Sequence, residues 1–128
     1  MVAQLDRTKF HKVFPVEQAG RTLIVTPKGD AVSFRDSDVA QELNTLMEVL
    51  EHFGPVSLLV DLSGHDYYGS TMIGAIHNLG TKVQESGGQM VLCGASNQML
   101  DVLRIMHLDS LWMNFDSRKI ALKAMNKA

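Results

Sequence analysis

LLVDLSGHDYYGSTMIGAI, residues 58–76, is the stretch on which the reading of this chain turns. An apolar run ends in a short polar loop, and a helical rhythm restarts at Ser70 and Thr71. That order is a strand feeding a helix N-terminus across a turn. The first-turn backbone N–H groups of such a helix have no intrahelical partner, and the macrodipole adds partial positive charge there. A hydroxyl at this point serves either as a helix cap or as the carrier of a phosphate that the helix end stabilises.

Working upstream, Val56 to Leu62 (VSLLVDL) is almost continuously apolar, the signature of a strand buried on both faces of a partly parallel sheet. Phe53-Gly54-Pro55 ends a preceding helix whose apolar positions Val39, Leu43, Leu46, Met47 and Leu50 keep helical spacing. Asp36, Ser37 or Asp38 is the expected cap of that helix. Lys28-Gly29-Asp30 breaks the strand Arg21 to Pro27, and Ala31 to Asp36 form a connection. Lys9 to Glu17 alternates around Pro15 and reads as an edge strand, joined to the next through Gln18-Ala19-Gly20. Residues 1–8 read as a loose lead-in.

Downstream, Met72, Ile73, Ile76, Leu79, Gly80 and Val83 extend the helix to about Glu85, and Ser86-Gly87-Gly88 stops it. Gln89 to Gly94 is a second buried strand. A helix from about Asn97 turns Met99, Leu100, Leu103 and Met106 inward, and Leu111 to Phe115 reads as a short strand. Asp116 or Ser117 then caps a last helix through Ala124. The order ββαβαβαβα predicts an α/β sandwich, a mostly parallel mixed sheet with helices packed against it.

The 128 residues make one domain, residues 1–128, with 45% hydrophobic and 20% charged side chains, a composition that supports a packed core. A net charge of −2 and no Lys/Arg stripe argue against a nucleic-acid interface. The single cysteine, Cys93, lies in the apolar run QMVLCGA and reads as a buried, reduced thiol, consistent with a cytoplasmic location. MVAQLDRTKFHKV lacks the apolar core of a secretory signal, and no 18-residue apolar run marks a membrane span.

Four pieces in order and spacing resemble the STAS domain of bacterial anti-sigma factor antagonists, from about Arg21 to Leu122. VDLSG (60–64) is similar to the family's strand and turn, and STMIGAI (70–76) to its serine and second helix. SGGQMVLCGAS (86–96) is similar to the glycine pair and fourth strand, and VLRIMHLDSLW (102–112) to the third helix and final short strand. The resemblance implies a regulatory binding module in a partner switch. A serine-kinase anti-sigma factor would bind the unmodified domain and phosphorylate it, and a phosphatase would reset it. The equivalent acceptor is Ser70, with Thr71 beside it. The family pattern has an aspartate before the serine and a glycine two residues after it, where this chain has Gly69 and Met72. It also places an acid near Val32, and Asp30 lies two residues earlier.

Around the acceptor, His65, Asp66, Tyr68, Gly69, Met72 and Ile73 form the expected partner surface, with Tyr67 adjoining; core filling is the default for Met72, on an inward helical position, and the tyrosines equally suit the core at the strand end. Asp61 and Asp66 are read chiefly as acceptors of backbone N–H bonds, with Mg²⁺ binding as the alternative. The histidines His11, His52, His65, His77 and His107 have no metal-ligand spacing, so neither metal nor cofactor is expected. Gly69-Ser70-Thr71-Met72-Ile73 is not the Gly-x-Ser-x-Gly elbow of a hydrolase, and the domain reads as a non-enzyme. Alternatives are a non-phosphorylated STAS scaffold, or a nucleotide- or lipid-binding domain using the carboxyl ends of the strands. Homo-oligomerisation stays open.

Overall fold

The computed structural model describes residues 5–28 and 36–126. Five strands form one sheet: β1 (Val16–Ala19), β2 (Thr22–Val25), β3 (Ser57–Asp61), β4 (Gln89–Cys93) and β5 (Asn114–Phe115), in that spatial order. β1 and β2 are an antiparallel hairpin, closed at Gly20 with a positive φ of 62°. All other pairings are parallel, with Leu59 opposite Ile24 on one side and Val91 on the other. Among the described residues four α-helices join them: α1 (Asp36–Phe53), α2 (Ser70–Glu85), α3 (Asn97–Ile105) and α4 (Arg118–Asn126).

The continuous apolar character of β2, β3 and β4 follows from burial on both faces. Leu23, Val25, Leu58, Val60, Met90 and Leu92 point into the large core beneath α1, α2 and α3. Their neighbours Ile24, Leu59, Val91 and Cys93 point to the opposite face, closed by Ala121, Leu122 and Met125 of α4. Three helices thus cover one face and one covers the other. The expected α/β sandwich with a mixed sheet is what forms.

Several boundaries depart from the sequence expectation. No strand runs from Lys9: Val13 and Phe14 are fully buried in the main core, and β1 begins only after Pro15. Residues 5–8 are not a loose lead-in. A short 3₁₀ turn (Asp6–Thr8) packs on α1, with Arg7 paired to Glu48. The carboxylate of Glu42 on α1 then accepts the backbone N–H groups of Lys12, Val13 and Phe14 at 2.9–3.0 Å. The expected connection from Ala31 up to the start of α1, with Val32, and Asp30 before it lie outside the described residues. Ser37 and Asp38 sit inside the first turn of α1 and do not cap it. Met106 is 44% exposed because α3 ends at Ile105 and His107 turns the chain away with φ 60°. β5 holds two residues where five were expected, and Leu111 and Met113 stay exposed. α4 runs to Asn126, and the Ser117 hydroxyl accepts the Ile120 N–H at 3.2 Å as foreseen.

Candidate functional site

Parallel pairing brings the carboxyl ends of β2, β3 and β4 to one edge of the sheet, and the loops that leave β3 and β4 form the candidate site. Asp61, the last residue of β3, is almost fully buried at its base. Its Oδ1 accepts from the Ser63 backbone N–H at 3.0 Å and from the Ser63 hydroxyl at 2.6 Å. Its Oδ2 accepts from Arg118 Nε at 2.9 Å. Arg118, at the first position of α4, also reaches Glu17 on β1 at 3.0 Å and the Thr26 hydroxyl at 3.1 Å. Burial alone would push the Asp61 carboxyl up, but the Ser63 hydrogen bonds and the Arg118 guanidinium outweigh it and hold the group below the usual carboxylate range. Asp61 is therefore an acceptor of hydrogen bonds, as the sequence suggested.

The wall of the site is apolar. The Tyr68 ring is wholly buried, and its hydroxyl donates to the Leu62 carbonyl at 3.2 Å, with the Pro27 carbonyl at 3.5 Å. Burial first, and the Asp61 charge second, push this phenol up to about 12. The same two causes push the buried Cys93 thiol up to about 12. Met72 and Ile73 also point into the core. Three residues expected on a partner surface, Tyr68, Met72 and Ile73, are thus core residues. Helical spacing sets this: positions 72, 73, 76 and 79 share the face of α2 turned to the sheet.

What the site exposes is narrower. His65, Asp66, Tyr67, Ser70 and Thr71 are solvent-facing, and Gly69 is half-buried. The His65 ring stands edge-on to Tyr68 at 5.7 Å. The exposed stripe of α2 continues through Gly74, His77 and Asn78. Ser70 does not cap α2. The cap position is Gly69, whose extended backbone (φ −73°, ψ 173°) supplies no side-chain acceptor. Its carbonyl accepts the Ile73 N–H at 3.0 Å, closing the first turn. Both hydroxyls therefore stand on the first turn of a helix whose leading N–H groups receive no side-chain cap.

Sequence reasoning missed the connections under this surface. The Asp61–Arg118 pair spans 57 positions and leaves no local signal. Gly94, with φ 71°, lies where an added Cβ would come within 2.6 Å of Ser63 Cβ, so the β4–α3 loop presses directly on the β3–α2 loop. Ser96 caps α3, its hydroxyl accepting the Met99 N–H at 3.0 Å. A serine ahead of a helical run was a visible clue to that cap. Among the described residues, no group of three or more His, Cys, Asp or Glu side chains is arranged to hold a metal, and no helix is long and apolar enough to cross a membrane.

The STAS domain family model matches residues 13–121, and the chain belongs to that family. An anti-sigma-factor antagonist (STAS) domain protein from Planctomyces limnophilus shares the fold with a TM-score of 0.74 at 24% identity, over 88% of this chain and 97% of that one. The anti-sigma factor antagonist SpoIIAA in its unphosphorylated form gives 0.72 at 17% identity, over 90% and 97%. The Bacillus cell fate determinant SpoIIAA in its phosphorylated form gives 0.70 at 16% identity, over 88% and 98%. At these identities the likeness is one of fold. No curated protein gives a significant match.

Proposed function

We propose that this domain is a cytoplasmic regulatory binding module of the anti-sigma factor antagonist type, docking a serine-kinase anti-sigma factor through the mouth of α2 and the loop before it. It acts by binding and not by catalysis. Ser70 is the phospho-acceptor, with Thr71 the second choice, and a phosphatase would reverse the modification. The observation that carries this reading is the pair of exposed hydroxyls on the uncapped first turn of α2. A phosphate there brings a charge of about −1.5 to −2, which free N–H groups and the helix dipole favour. The same charge beside Tyr67 and His65 disfavours a partner that docks on apolar and neutral contacts. Modification would thus leave the fold intact and change the docking face.

Gly69 in place of the family aspartate favours a second reading, a domain that docks without being modified. Binding of the wild type, Ser70→Ala and Ser70→Asp to the serine-kinase anti-sigma factor of the same organism separates the two. The switch predicts that Ser70→Asp weakens binding at least about tenfold, about 1.4 kcal/mol, with Ser70→Ala near wild type. Equal affinities in all three support the unmodified dock and defeat the switch.

A further inference from the structure

The β3–α2 loop, residues 62–69, ends at the proposed acceptor, and its middle is tied down by a residue from another element. The Ser96 hydroxyl donates to the Asp66 carbonyl at 2.5 Å while accepting the Met99 N–H at 3.0 Å. One hydroxyl has a single proton and two lone pairs, so this one spends its proton on the loop and a lone pair on the cap. Asp66, with its neighbours His65 and Tyr67, is solvent-facing, and among the described residues the Ser96 hydroxyl is its hydrogen-bond partner. The base of the loop is fixed separately, by Asp61 on Ser63 and by the close approach of Gly94 to Ser63. Its far end is fixed by Tyr68 in the core. Between these two anchors His65 leans on Tyr68, through its ring and its backbone N–H, and Ser96 is the contact that ties Asp66 to another element.

We infer that Ser96 is a positioning residue for the docking loop: its hydroxyl holds the Asp66 carbonyl so that His65, Asp66 and Tyr67 stand in fixed relation to Ser70 before a partner arrives. This deepens the proposed function and rests on it for the identity of the docking face. An ordered loop loses less freedom on binding, which is how a contact outside the interface strengthens it. The two bonds of the hydroxyl are separable by chemistry. Ser96→Thr keeps both donor and acceptor. Ser96→Asp keeps an acceptor for the Met99 N–H, as good N-caps do, but has no proton for the Asp66 carbonyl and sets a negative charge against it.

Backbone ¹⁵N relaxation on the wild type, Ser96→Thr and Ser96→Asp reads the loop directly. In Ser96→Asp the order parameters of residues 64–67 should fall from about 0.85 to below about 0.6, with those of α3 unchanged and Ser96→Thr like wild type. Order parameters that stay the same in all three proteins overturn the inference, as does equal loosening in Ser96→Thr. A parallel readout is phosphate incorporation at Ser70 in host lysate with Mg-ATP, expected to slow at least about threefold in Ser96→Asp alone. A loosened loop with an unchanged rate removes the positioning role. No phosphate in the wild type defeats the proposed switch, while the relaxation result still decides what Ser96 does.

Discussion

At the scale of single residues, the candidate site is built on the buried carboxylate of Asp61. Asp61 is held ionised by Ser63 and Arg118, and its carboxyl lies below the ordinary value. A carboxylate depressed in the folded state contributes stability above its unfolded pKa of about 4, and loses it as pH falls through the lower folded value. Replacing Arg118 by Met removes the guanidinium, raises the Asp61 carboxyl and leaves one oxygen of a nearly buried carboxylate without its charged donor. Arg118→Met should cost about 2 kcal/mol in urea unfolding at pH 7, and its acid-unfolding midpoint should lie at higher pH than that of the wild type. Unchanged acid midpoints would mean that Ser63 alone sustains the ionised form. Little of this was legible: Asp61 was recognisable as a hydrogen-bond acceptor at a strand end, but its partner lies 57 positions away. Chain separation of that size carries no periodic or motif signal.

At the scale of the element, α2 is where sequence and structure agree most closely. Its bounds, Ser70 and Glu85, were readable because the apolar rhythm and Ser86-Gly87-Gly88 mark both ends. The same periodicity turns Met72 and Ile73 inward with Ile76 and Leu79, and it outweighs their place at the helix mouth. Tyr68, Met72 and Ile73 resemble a sticky loop-helix junction in one dimension and are core in three. Two glycines on this helix make opposite predictions. An added Cβ at Gly74 meets nothing within 4 Å, whereas at Gly80 it would come within 2.7 Å of the Trp112 indole nitrogen and 3.0 Å of Met90 Cε. Gly74→Ala should therefore stabilise by about 0.5–1 kcal/mol through helix propensity. Gly80→Ala gains the same propensity but must displace the Trp112 ring, and overpacking of about 1–3 kcal/mol leaves a net loss. Thermal unfolding of the two variants should show melting temperatures displaced in opposite directions. A rise in both would mean that Trp112 is free to move aside.

At the scale of the whole molecule, three helices cover one face of the sheet and one covers the other, and the β3–α2 and β4–α3 loops meet at the carboxyl ends of the strands. The layer order was legible because nearly continuous apolar strands alternating with amphipathic helices admit few other arrangements. The N-terminal closure was not. Alternation around Pro15 imitates a strand, while Val13 and Phe14 instead plug the core under the grip of Glu42 on three backbone N–H groups. Glu42→Ala should cost about 2 kcal/mol in urea unfolding, since it strands the part-buried amides of Val13 and Phe14. A loss within about 0.5 kcal/mol would mean that water replaces the carboxylate freely. The central claim, that the mouth of α2 is a phosphorylation-controlled docking face, is tested most directly by mapping phosphate on the intact domain. The protein is incubated with Mg-ATP and lysate of its own host, beside a working antagonist as positive control, and read by mass spectrometry. Phosphate on Ser70, absent from Ser70→Ala, is the predicted result, and phosphate on Thr71 alone would shift the switch by one residue. No phosphate on either hydroxyl, with the control modified, would contradict the claim.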